Sequence, residues 1–386
     1  MMMDDWRNGG FGLYLHWPFC QSKCPYCDFN SHVAASIDQT RWKTAYLAEI
    51  DRLAAETSGR VLQSVFFGGG TPSLMDPDLV DAILTRIRAA WPQTNDWEVT
   101  LEANPGSVEA GRFRAYADAG VNRISMGIQA LSDVDLRKLG RLHSVAEARA
   151  AFDVARKAFD RVSFDLIYAR QDQSLAAWGA ELRDALSMAV DHLSLYQLTV
   201  EDGTAFGDRF AKGGLKGLPN EDLSSDMYDL TQDICGAAGL PAYEVSNHAA
   251  PGMESQHNLI YWRGGDYIGI GPGAHGRLTL GGVRWATEAP RAPGDWLTRV
   301  AAGSTGEAPR DVVPSAERAL EYLMMGLRLT EGIDLGRYAN LAGNLLNHNK
   351  ISDLIKIDML QTTAMGIATT AKGRLVLNAV IRELAA

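Results

Sequence analysis

From residue 11 to about residue 200, short apolar runs alternate with longer amphipathic segments, and this alternation restricts the fold more than any other feature of the chain. The runs at 12–16, 64–67, 98–101, 123–128, 162–167 and 192–198 are rich in β-branched and aromatic residues and predict strands. Helical periodicity predicts helices over 39–55, 77–90, 108–119, 145–157 and 175–188. Asp76 before Pro77 has the form of an N-cap followed by proline at the first helical position. Strands that alternate with helices run parallel, because each return passes through a crossover helix on the face of the sheet. Six such units are too few for an eightfold barrel, so a partial barrel and an open doubly wound sheet both fit. In either, ligands meet the C-terminal ends of the strands.

Those ends carry polar groups. Gly68-Gly69-Gly70-Thr71-Pro72 follows one strand, and three glycines expose backbone N–H and C=O with no side chain in the way. Glu102, Gln129 and Asp165 each follow a run that otherwise reads as buried. A buried polar group needs a partner. These could satisfy one another; four polar features at one rim point rather to a ligand site.

Three of the four cysteines fall within Cys20-Gln21-Ser22-Lys23-Cys24-Pro25-Tyr26-Cys27, a C-x3-C-x2-C spacing. Pro18 ends the strand before them, which puts the thiols on a loop. Three thiolates on one loop suit a soft metal centre. A [4Fe–4S] cube normally takes four cysteines. The fourth cysteine here, Cys235, lies far away in a helical pattern. One iron would then lack a protein ligand and stay open to a small molecule. Structural zinc wants four closed ligands, and His16 or His32 would have to complete its site. A disulfide framework suits short secreted chains instead.

C-x3-C-x2-C with an aromatic residue before the third cysteine resembles the radical S-adenosylmethionine superfamily. The run from Tyr14 to Cys20 and the segment Cys27-Asp28-Phe29-Asn30-Ser31 narrow the resemblance to the HemW haem chaperone family, a relative of oxygen-independent coproporphyrinogen III dehydrogenase. The dehydrogenases carry a further cysteine where Phe29 stands here. The resemblance implies a partial (β/α)6 TIM-like barrel with a small C-terminal α+β domain of winged-helix type. It implies a [4Fe–4S] cluster on Cys20, Cys24 and Cys27. S-adenosylmethionine would chelate the open iron, in contact with Gly69, Gly70, Thr71, Glu102, Gln129, Arg141 and Asp165, with Tyr14 and Tyr26 beside the cluster.

A second run, His257-Asn258-Leu259-Ile260-Tyr261-Trp262, resembles the H-N-x-x-Y-W motif of HemW members. It implies that His257, Tyr261 and Trp262 contact haem, with His257 as axial ligand. His and Tyr both ligate haem iron, and aromatic faces stack on a flat macrocycle. His257 and Tyr261 are four apart, which places them on one face of a helix. The bland alternative is a histidine packed in an aromatic core. His248 reads as structural.

The expected organisation is a barrel over 1–240, an extension over 241–290 carrying the haem motif, a Pro-rich connecting region over 291–315 and a C-terminal domain over 316–386. In the last, 316–327 predicts a helix whose apolar stripe is Ala319, Leu320, Leu323, Met324 and Leu327, with Met324 and Met325 in the core. The segments 350–359, 365–369 and 373–378 complete a small module that caps the barrel mouth. Gly269-Ile270-Gly271-Pro272-Gly273-Ala274 imitates a dinucleotide fingerprint, but Pro272 stands where a helix would open, so a turn near the ligand mouth is expected.

A net charge of −10 argues against a duplex nucleic-acid binder. No apolar run reaches membrane-spanning length, and Met1-Met2-Met3-Asp4-Asp5 lacks the features of a signal peptide. A cytoplasmic protein is expected; peripheral association with the inner face of the cytoplasmic membrane stays open, as does a homodimer. Two functions compete. The first is a haem chaperone that delivers haem to acceptor haemoproteins, membrane-bound respiratory cytochromes among them, with no catalytic residue. The second is the dehydrogenase, an oxidative decarboxylation of coproporphyrinogen III. Phe29, the H-N-x-x-Y-W run and the 19 residues before Cys20, fewer than the dehydrogenases carry, favour the first. A zinc-stabilised nucleic-acid module is a distant third.

Overall fold

The computed structural model describes residues 4–108 and 110–385. Residues 1–3, part of the start read above, and Glu109, within the expected third helix, lie outside them. The strands begin with β1 (Phe11–Trp17), the two-residue β2 (Phe19–Cys20) and its partner β3 (His32–Val33), and β4 (Leu62–Gly69). They continue with β5 (Gln93–Ala103), β6 (Arg123–Gln129), β7 (Arg161–Tyr168) and β8 (His192–Gln197). The helices between them are α1 (Gln39–Glu56), α2 (Pro77–Ala90), α3 (Ala110–Ala119), α4 (Asp133–Lys138), α5 (Val145–Ala158) and α6 (Leu175–Met188). Five of these six match the expected helices; the short α4 is an addition. Pro77 opens α2 at its first turn, while the Asp76 side chain makes no capping hydrogen bond.

The six expected strands run parallel in the order β1-β4-β5-β6-β7-β8. A seventh parallel strand, absent from the sequence expectation, flanks β1 on its other side. The chain reaches it through α7 (Ala205–Ala211), α8 (Glu221–Ala237), β9 (Asn247–Ala249) and α9 (Gln256–Trp262), and it is β10 (Asp266–Ile270). So long a detour hides the β/α rhythm. β10 is followed by β11 (His275–Leu280), β12 (Val283–Glu288) and β13 (Asp311–Val312), all antiparallel to their neighbours. The edge strands β13 and β9 do not pair with each other, so the sheet is an open, partial barrel. The imitation fingerprint is the end of β10 and the turn into β11; no helix follows it.

The strands have two different faces. Val65, Phe67, Val99, Leu101, Ile124, Met126 and Phe164 join Leu79, Ile83, Phe113, Phe152 and Trp178 of the surrounding helices in one core. The alternate residues, two apart along each strand, face the other way and are mostly polar: Ser64, Glu98, Thr100, Glu102, Arg123, Ser125, Ser163 and Asp165. Glu98 is buried here and accepts from Arg161 Nη1 at 2.9 Å and from Ser255 Oγ at 3.2 Å. Arg123 lies 3.9 Å from the same carboxylate and donates to Ser163 Oγ at 2.9 Å. A buried carboxylate is tolerated only with such partners. Ser255 caps α9, so this ion cluster also fixes the helix that carries the second motif.

The expected connecting region is more ordered than its prolines suggest. Pro293–Ala301 forms α10, whose Trp296 stacks on Trp42 of α1 with ring centroids 5.5 Å apart. Pro293 occupies the first turn, where proline favours a helix. The C-terminal domain has its own core, including Leu323, Leu327, Ile333, Leu354, Ile367 and Val380. It comprises α11 (Ser315–Gly326), α12 (Leu335–Ala342), α13 (His348–Lys356), α14 (Ala371–Leu375) and α15 (Leu377–Ala385). A three-stranded antiparallel sheet, β14 (Ile333–Asp334), β15 (Leu360–Thr362) and β16 (Gly366–Thr369), completes the winged-helix-like unit. The stripe of α11 corrects the expectation. Ala319, Tyr322 and Leu323 are buried, whereas Met324 is 44% exposed and Met325 lines a cavity. Ala319, Leu323 and Leu327 of the expected stripe are buried, while Leu320 and Met324 are exposed and Tyr322 and Gly326 pack inward instead. No described helix is long and apolar enough to cross a membrane.

Trp296→Ala should cost ~3–5 kcal/mol of global stability in urea unfolding, the range for a buried tryptophan. A cost below about 0.5 kcal/mol would make this segment the plain connector expected from its composition.

Candidate functional site

The thiol loop starts where β1 ends. Gly70 N donates to Trp17 O at 2.7 Å and Thr71 N to Phe19 O at 2.8 Å, so the triple-glycine loop is stitched to the chain just before Cys20. A Cβ on Gly70 would come within 2.6 Å of Phe19 O. One on Gly69, whose φ is +114°, would meet the His16 ring at 2.7 Å. The glycines are therefore required by close backbone approach as well as by conformation.

Cys20, Cys24 and Cys27 are free and partly exposed. They line one cavity of about 140 Å³ together with Tyr26, Gly69, Gly70, Thr71, Glu102, Gln129, Arg141 and Asp165. Of the residues assigned to the cluster and S-adenosylmethionine, only Tyr14 lies elsewhere, in a neighbouring cavity. Cys235 is buried on α8. Thr71 Oγ1 donates to Cys20 Sγ and Arg141 Nη1 to Cys24 Sγ, both at 3.4 Å. Burial pushes the Cys20 thiol up while the Thr71 hydroxyl pulls it down; burial also pushes up Cys27. Gln129 takes φ +78° at a register shift in β6, a strained backbone position at the cavity rim.

Among the described residues, no three His, Cys, Asp or Glu side chains converge as the ligands of one ion. The histidines that zinc would need are occupied. His16 Nδ1 lies 3.0 Å from Tyr14 Oη and its Nε2 2.9 Å from Asn30 O, while His32 Nε2 lies 3.2 Å from Asn30 Oδ1. Among the described residues the three thiols line the cavity with no fourth cysteine or free histidine beside them, a donor set that suits a cluster with one open iron more than a closed four-ligand zinc site.

Two carboxyls face the same cavity. Glu102 Oε2 accepts from Gly69 N at 3.1 Å, and Asp165 Oδ1 from Ser125 Oγ at 3.4 Å. Burial, and then the Asp165 charge, push Glu102 up to about 8. Burial pushes Asp165 up to about 6. Near neutral pH the pair therefore retains about one proton, and a cationic ligand group would displace it.

A larger cavity of about 530 Å³ adjoins the first, and Phe29, Gly69 and Glu102 line both. Its walls carry Tyr14, Tyr261, Trp262, Tyr267 and Tyr322, and five arginines: Arg277, Arg284, Arg291, Arg318 and Arg337. Helices α11 and α12 form one side. Phe29 is 58% exposed. His257 does not line this cavity. It is 1% exposed, with Nε2 2.7 Å from Tyr261 Oη and Nδ1 2.7 Å from Ser64 Oγ, and its ring stacks on Phe66 at 5.0 Å. Burial pushes it down to about 3, so it is neutral. Tyr261 and Trp262 are the members of the motif that face the cavity. His248 is buried on β9 with neither ring nitrogen partnered.

Sequence reasoning missed the arginines. They come from β11, β12, the loop before α10, α11 and α12, and no local spacing links them. Over 277–337 single arginines are scattered among as many acidic residues, so no local charge signal marks them.

Comparison with known proteins agrees with this layout. The Radical SAM superfamily model matches residues 14–176 and the HemN C-terminal domain model residues 313–376. The chain is 38% identical over 380 residues to "Heme chaperone HemW" of Escherichia coli (strain K12), covering 96% of both. It is 39% identical over 326 residues to "Radical S-adenosyl methionine domain-containing protein 1, mitochondrial" of Bos taurus, covering 83% of this chain and 74% of that one. Coproporphyrinogen III oxidase (HemN) of Escherichia coli shares the fold, with a TM-score of 0.81 at 20% identity over 97% of this chain and 90% of that one.

The carboxyl pair predicts a pH effect. Glu102 ionises at about 8 when folded, against about 4.3 in an unfolded chain. Between those values the folded state holds the extra proton, so stability falls as pH rises. Glu102→Gln removes that loss: its melting temperature should gain on the wild type's up to about pH 8 and run parallel above. Parallel curves throughout would mean that Glu102 ionises as in water.

Proposed function

This chain belongs to the HemW family of the radical S-adenosylmethionine superfamily, and from that premise we propose that it is a haem chaperone that binds haem in the larger cavity and passes it to acceptor haemoproteins. The observation that carries the reading is the shared wall. A space large enough for a cofactor, walled by aromatic rings and arginines, opens beside the three thiols through Phe29, Gly69 and Glu102. Aromatic faces suit a macrocycle, and guanidinium groups suit its propionates.

Cys20, Cys24 and Cys27 would hold a [4Fe–4S] cluster, with S-adenosylmethionine beside it. When bound, that pair supplies one-electron chemistry. The chain's own work is to hold and to order. The Glu102 carboxyl and the backbone carbonyls of the Gly69–Gly70 turn would receive an ammonium group. Asp165 and Gln129 offer polar partners for the rest of the ligand, and Arg141 keeps a positive charge against Cys24. In the haem cavity, Tyr261 and Trp262 present the second motif. His257 supports Tyr261 from behind and would reach iron only after leaving Tyr261 and Ser64. The acceptors and a cytoplasmic location, at or near the membrane, belong to the same proposal.

The dehydrogenase remains the second reading. The same shared wall would bring the edge of a porphyrinogen to S-adenosylmethionine. Phe29, standing where that family carries a cysteine, speaks against it.

Haem titration of the anaerobic protein should give a stoichiometric Soret shift that weakens about tenfold in Tyr261→Phe, the loss of one contact or ligand at the cavity wall, and in His257→Ala, which removes the group that holds the Tyr261 hydroxyl. Turnover of coproporphyrinogen under reducing conditions would establish the dehydrogenase instead. The brown protein should contain about four irons and four sulfides per chain. Cys24→Ser should abolish both, and a colourless protein with a single zinc would overturn the cluster.

A further inference from the structure

The five arginines of the larger cavity are not equivalent. Arg284 pairs with Asp266, which is fully buried and also bound by Arg60 and by Thr279. That carboxylate cannot leave, so Arg284 is structural. Arg277 is held by Glu321 of α11 at 2.8 Å. Arg318 and Arg337 differ, because both are neutralised by Asp5, from a short segment ahead of the barrel. Arg337 grips it in a two-pronged pair, Nε to Oδ1 at 2.8 Å and Nη2 to Oδ2 at 3.0 Å. Arg318 Nη2 adds a contact to Oδ2 at 2.9 Å. Among the described residues, the Asp5 carboxylate has one further partner beyond these two arginines, Asn8 Nδ2 at 3.2 Å.

Arg337 is held in place without Asp5. Its Nη1 donates to Arg263 O at 2.6 Å, and its guanidinium lies over the Tyr322 ring at 4.3 Å. The fork is thus preorganised and aimed into a cavity walled by flat aromatic surface. Asp5 sits in it as a carboxylate on a one-carbon stem, the same charged group that a propionate presents. Replacing one by the other keeps every charge-assisted bond and leaves no buried guanidinium unpaired.

We propose that Arg318 and Arg337 form a carboxylate subsite for one propionate of a bound porphyrin, and that Asp5 fills this subsite until the porphyrin displaces it. The inference rests on the haem reading above and adds to it the element that holds the ligand's acidic edge. Asp5 is then an intramolecular competitor. It lowers the fraction of chains whose fork is free, and apparent affinity falls by the same factor.

The test uses iron-free protoporphyrin and its dimethyl ester, which removes axial ligation from the comparison. Fluorescence titration of the full chain is run on wild type, Asp5→Asn and Arg318→Gln. Asp5→Asn should bind the diacid about tenfold more tightly and the diester unchanged, since the competitor is gone. Arg318→Gln should weaken the diacid about tenfold and narrow the preference for acid over ester. A gain in Asp5→Asn for the diacid with none for the diester cannot come from misfolding, which would expose apolar surface to both, so the result does not hinge on the stability of the arginine variant. Diacid binding that is unchanged or weaker in Asp5→Asn overturns the subsite and leaves the haem reading standing. Failure of all three proteins to bind either porphyrin, together with no Soret shift on adding haem, overturns both.

Discussion

The backbone of Gly70 and Thr71 lies directly against that of Trp17 and Phe19, and the position of the first thiol follows from that contact. It joins the end of β4 to the end of β1 where no side chain could intervene. Cys20 is placed one residue beyond the contact, and the loop that carries Cys24 and Cys27 then closes over the strand ends. Thr71, just after β4, and Arg141, between α4 and α5, each donate to one of the sulfurs. The site is thus an assembly of neighbouring strand ends, the usual place for function in a parallel sheet.

A second constraint is the polar concave face. Parallel strands covered by helices on both sides are usually apolar throughout. Here only the helix-facing side is. The other bears Glu98, Arg123 and Arg161 in one buried ion cluster, and Glu102 and Asp165 nearer the mouth. Near the bottom the charges cancel and α9 is locked down through Ser255. Near the top the two carboxyls lack a full set of partners, and burial raises both. That gradient from satisfied to unsatisfied groups runs along the strands toward the thiols. It makes the mouth the place where a cationic ligand gains most.

Much of this was legible in the residues. Local periodicity predicts six strands and five helices, with boundaries close to those observed except for β5, which begins five residues earlier, at Gln93, because Gln93–Asp96 is polar and at least partly exposed and carries no apolar signal. Glu102 and Gln129 could be found because a polar group near the end of an apolar run is anomalous by itself, and Asp165 because it interrupts one, inside β7. β10 was missed for a physical reason: it is five residues long, begins with Asp266 and returns to the sheet only after a long detour. The helix Pro293–Ala301 was hidden by prolines that in fact open it. Tyr14 and His257 were placed by motif, and motif position does not say which ring nitrogen or hydroxyl faces a cavity. The arginine wall had no local signal, because tertiary folding alone brings β11, α11 and α12 together.

The central proposal is that Cys20, Cys24 and Cys27 would hold a [4Fe–4S] cluster whose fourth iron is left for S-adenosylmethionine. Electron paramagnetic resonance of the anaerobically reduced protein, recorded with and without S-adenosylmethionine, tests it most directly. The account predicts a cluster signal whose g-values move when S-adenosylmethionine is added, because the small molecule joins the open iron. A signal indifferent to S-adenosylmethionine, or no iron signal after reconstitution, would contradict it.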